Sequence, residues 1–91
     1  MLALAINHEN DARDRIKSAA LEVAISTAVK KSDPSCNGFV GVFVARSTPK
    51  SKDDSNWVVR GIRYGTAQRD QCEAALSVIV ARMKQEFEVA D

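Results

Sequence analysis

The segment Phe39-Val40-Gly41-Val42-Phe43-Val44-Ala45 is apolar at every position, and this restricts the fold more than any other feature of the chain. A short run rich in β-branched and aromatic residues favours a strand over a helix. Alternation puts Val40, Val42 and Val44 on one face and Phe39, Gly41, Phe43 and Ala45 on the other. Both faces therefore need cover. A second run, Trp57 to Tyr64, also reads as a strand, with Val58, Arg60, Ile62 and Tyr64 alternating with Trp57, Val59, Gly61 and Arg63. Between them Ser47 to Asn56, with Thr48-Pro49 and Asp53-Asp54, is a polar loop without periodicity. The three pieces make one long antiparallel hairpin. Gly41 and Gly61 inside the strands mark a bulge, or room for a bulky cross-strand neighbour.

A helix is expected on each side of the hairpin. Asn7 to Ser32 reads as one long helix, with Asn7 or Asn10 as N-cap. Glu9 and Asp11 suit its positive end, Lys30 and Lys31 its negative end, and Asp33-Pro34 stops it. Its apolar residues form two stripes: Ile16, Ala20, Val23 and Thr27, then Leu21, Ile25 and Ala28. Two stripes predict two neighbours. After Gly65, Thr66 is a candidate cap, and Ala67 to about Val89 reads as the second helix. Cys72, Leu76, Ile79, Met83 and Phe87 form its apolar stripe, opposite Glu73, Ser77, Lys84 and Glu88. Met1 to Ile6 reads as a short strand or a cap on the core; it is too short for an export signal, so the cytoplasm is the expected compartment. Helix, strand, strand, helix over residues 1–91 predicts a single α+β domain.

Composition bounds function. A chain of 91 residues leaves room for one core, and 45% hydrophobic residues suit a globular one. No apolar run approaches the roughly 18 residues of a membrane span, so no membrane partner is expected. The net charge of +1 excludes a strongly basic binder, but the charge is uneven. Residues 46–69 hold six basic and two acidic residues, for +4. Residues 70–91 hold two basic and five acidic, for −3. Arg46, Trp57, Arg60 and Arg63 are the candidate ligand contacts, because aromatic rings among cations can stack bases. No nucleic-acid motif accompanies them. A solvated hairpin whose charges blunt an exposed edge is the favoured reading, and nucleic acid the lesser partner.

Catalytic patterns are missing from the sequence. No G-x-S-x-G elbow or phosphate-binding loop is present, so no enzyme activity is expected. Cys36 and Cys72 match no zinc spacing, and His8 is the only base available to a thiol. No metal or other cofactor is expected. Cys72 falls on the helix stripe and should pack as a small apolar residue, with Cys36 in an exposed loop. A disulfide between them is the minor alternative in a reducing compartment.

Self-association follows from shape. A two-stranded hairpin is marginal in water, and two helices can cover only one of its faces. A homodimer would cover the rest, by joining hairpins edge to edge into a four-stranded sheet or by stacking their open faces. Leu21, Ile25, Phe39 and Phe43 are the expected interface residues. The expected role is a small homodimeric interaction module whose partner is itself or another protein. The alternatives are a nucleic-acid- or anion-binding regulator using residues 46–69, and a small-ligand-binding subunit with its site between chains.

Overall fold

The computed structural model describes residues 13–51 and 54–91. Its elements run β1 (Asp14–Ile16), α1 (Ser18–Ser32), a 3-10 turn (Pro34–Cys36), β2 (Gly41–Arg46), β3 (Trp57–Arg63), α2 (Arg69–Glu86) and β4 (Phe87–Val89). The fold is α+β: β2 and β3 form an antiparallel hairpin, and β1 and β4 form a separate parallel pair. Among the described residues no helix is long and apolar enough to cross a membrane.

Both helices are shorter than their sequences suggest. The proposed caps Asn7 and Asn10, with Glu9, Asp11, His8 and the Met1 to Ile6 segment, lie outside the described residues. α1 begins only at Ser18, because Asp14–Ile16 is a strand paired with Phe87–Val89 in the register Asp14↔Phe87, Arg15↔Glu88, Ile16↔Val89. Val89 is fully buried and Ile16 packs against the core. No local signal separates this strand from the helix, and its partner lies at the far end of the chain. The start of α1 is capped from there too: the Ser18 N–H donates to Asp91 Oδ1 at 2.7 Å. A carboxylate suits the positive end of a helix. Accepting that bond holds the Asp91 pKa below the usual carboxylate value. At α2, Gln68 occupies the N-cap position expected of Thr66, with no side-chain cap bond.

The core gathers one stripe from each helix and one face of the hairpin. Leu21, Ile25 and Val29 of α1 meet Cys72, Leu76, Ile79 and Met83 of α2, with Val42 and Trp57 from the strands. This corrects the expected interface. Leu21 and Ile25 are fully buried and Phe39 nearly so, within the single chain. Phe39 precedes β2, so strand alternation never reaches it; its ring packs edge-on to Tyr64 at 5.9 Å between centroids. Of the four proposed interface residues only Phe43 keeps a large open surface.

Cys36 is also corrected. It is fully buried, and it is joined to Cys72 by a disulfide with the Cα atoms 5.7 Å apart. The bond ties the 3-10 turn to the first turn of α2. Around it, the Gln68 N–H donates to the Ser35 carbonyl at 3.1 Å, and the Ser35 hydroxyl lies 2.8 Å from Gln71 Oε1.

Candidate interaction surface

The hairpin register decides which side chains face outward, since cross-strand partners share a face. Val42↔Ile62, Val44↔Val59 and Arg46↔Trp57 share the inner face, while Gly41↔Arg63, Phe43↔Gly61 and Ala45↔Val58 share the outer one. The register slips between Phe43 and Val44, leaving Arg60 as an extra residue with no partner across the ladder. Gly61 is bare because Phe43 lies over it: a Cβ there would stand 3.2 Å from the Phe43 ring. The Arg63 guanidinium sits 5.3 Å from the centroid of the same ring. Phe43, 50% exposed, therefore stands as a ring fixed by a glycine beneath and a cation beside it.

α1 runs beside β2. Its Glu22 carboxylate accepts the outward Val44 N–H at 2.9 Å, which satisfies that edge of the sheet. A groove of about 340 Å³ lies between them, with Val23, Thr27 and Lys30 on the helix side and Val40, Phe43 and Arg63 on the hairpin side. Val23 is 64% exposed and Val40 56%. The two helix stripes thus exchange their expected roles. The Leu21–Ile25 stripe enters the core, and Ala20, Val23 and Thr27 of the other stripe stay outside. The signal was present in the sequence as a second stripe, but periodicity alone does not say which stripe meets the core.

The four proposed ligand residues do not converge. Trp57 is fully buried; its Nε1–H donates to the Phe87 carbonyl at 3.1 Å, and Lys84 lies 5.7 Å from its ring centroid. Arg46 donates to the Asp91 backbone carbonyl. Arg63 belongs to the Phe43 groove. Arg60 faces a different groove of about 340 Å³ between β3 and the start of α2. A stacking platform built on Trp57 is therefore absent.

Among the described residues no cluster of three or more His, Cys, Asp or Glu is placed to hold a metal ion. Comparison with protein-family models, curated proteins and solved structures gives no match.

Proposed function

We propose that the chain is an interaction module that works as a homodimer, joined through the outer hairpin face and the adjoining Val23 flank of α1. One observation carries this reading: Phe43, fixed over Gly61, stands half exposed in a continuous apolar surface with Val23 and Val40. Among the described residues the sheet beneath it has two strands. The helices pack on its inner face, which leaves the outer face open to a partner.

Area decides the extent of the contact. Two strands about 20 Å long and about 10 Å wide present roughly 200 Å², well short of the ~800 Å² per partner of a stable complex. The contact must therefore spread over α1, which is why Val23 and Thr27 belong to it. Of the two dimer geometries, stacking of open faces is favoured over joining edges. On the β2 edge Glu22 already takes the Val44 N–H, and on the β3 edge the cationic Arg60 would meet its own copy. An isologous twofold pairing places the same patch on both copies and closes the assembly.

The reading is of a binding protein rather than a catalyst. The disulfide favours an oxidising compartment over the cytoplasm, because buried structural disulfides persist where thiols are not kept reduced. Sedimentation equilibrium at tens of micromolar tests the reading. The wild type should give the mass of two chains. Phe43→Asp and Val23→Asp should give that of one, with unchanged circular dichroism, and Arg60→Gln should remain dimeric. A one-chain mass for the wild type would overturn the proposal.

A further inference from the structure

The two edges of the hairpin are treated differently. α1 lies beside the β2 edge, where the Glu22 carboxylate accepts the Val44 N–H. Among the described residues no strand pairs with the outer edge of β3. The groove beside it has Val59, Arg60, Gly61 and Ile62 on one wall and Tyr64, Arg69 and Glu73 on the other. Four consecutive residues line that wall, so the groove runs along the strand rather than across its face. Arg60 is the bulged residue, so its position has no partner in the ladder with β2. Arg69 is held at the opposite wall, its guanidinium 5.4 Å from the Tyr64 ring centroid.

Charge selects the occupant. Arg60 and Arg69 face one acidic residue, Glu73, across this groove. A second copy of β3 would bring its own arginines against these, and a cationic edge is a known defence against self-pairing. An acidic strand meets the opposite situation. Nucleic acid is the weaker fit, because base stacking needs an open ring. Trp57 is buried, and the Tyr64 ring is flanked by Arg69 and Phe39. We propose that the β3 edge takes up an extended acidic peptide segment as a third strand of the sheet, its carboxylates paired with Arg60 and Arg69. Main-chain hydrogen bonds would supply the general affinity and the two arginines the selectivity. Four edge residues span about 13 Å, which matches a partner segment of four or five residues. This surface is separate from the Phe43 face and stands whether or not the chain dimerises.

The test is amide NMR on the full chain titrated with an end-blocked heptapeptide of alternating valine and glutamate. Saturable shifts centred on Val59, Arg60, Gly61, Ile62 and Arg69 are expected. Arg60→Gln and Arg69→Gln should each weaken binding about three- to tenfold, the range of a single partly exposed charge contact. The same peptide with alternate amides N-methylated keeps its charge and should not bind. Four results would each overturn the proposal: no shifts at the edge, equal binding of the N-methylated peptide, equal binding of a valine–lysine peptide, or stronger shifts there with oligothymidylate. Concentration-dependent shifts at the edge without any peptide would assign it to a second copy instead. Loss of dimer mass in Phe43→Asp leaves these outcomes unchanged, so the two proposals fail separately.

Discussion

Gly65 holds the one positive φ among the described residues, 61°, at the turn between β3 and α2. A Cβ there would run into the Gly38 carbonyl oxygen and the Val40 side chain. Left-handed strain and a backbone clash act together, so Gly65→Ala should cost about 2 kcal/mol or more, read from the urea midpoint. Asp33 accepts from both the hydroxyl and the N–H of Ser35, at 2.6 and 2.8 Å, and these bonds hold its carboxyl below the usual aspartate range. Because the folded value is depressed, its contribution is present above the unfolded pKa of about 3.9 and is lost as pH falls through the folded one. An NMR titration should place Asp33 below an ordinary aspartate, and Ser35→Ala should raise it. At this scale the sequence supplied residue types but not their destinations. Arg46, Arg60 and Arg63 were legible as a basic cluster in the sequence, yet Arg60 and Arg63 stand three residues apart on one strand and line different grooves.

Elements were legible where their signals are local. Strand propensity and a polar loop located the hairpin, and helical periodicity located Cys72, Leu76, Ile79 and Met83 as one buried stripe. The β1–β4 pair was not legible, since three-residue strands carry little pattern and their pairing joins opposite ends of the chain. The disulfide was set aside on an assumed compartment, although its geometry depends only on the fold. Closing a loop of this length should contribute roughly 4 kcal/mol in the chain-entropy account. Thermal unfolding with and without reductant should show a correspondingly large loss of Tm on reduction. Glu22 has a narrower role. Its bond to Val44 satisfies an edge amide, so Glu22→Ala should cost about 1 kcal/mol and speed hydrogen exchange at Val44 more than at Val42.

For the whole molecule, the mismatch between apolar surface and cover is real but smaller than the sequence implied. Phe39, Leu21 and Ile25 are hidden by the chain itself; among the described residues Phe43, Val23, Val40 and Val58 stay exposed on the hairpin and the α1 flank, with Ile62 on β3 and Val78 on α2. A standard interface would take roughly an eighth of the 6312 Å² surface, an ordinary share for a chain of this size. The two proposals would give the hairpin two working sides: a face for a second copy and an edge for an acidic strand. The most direct measurement of the central claim is an isotope-filtered NOE spectrum on a mixture of labelled and unlabelled chains. Cross-peaks between the Phe43 ring of one chain and the Val23, Val40 or Val58 methyls of the other are the predicted result. A spectrum without intermolecular cross-peaks at Phe43, at concentrations where the mass is that of two chains, would contradict it.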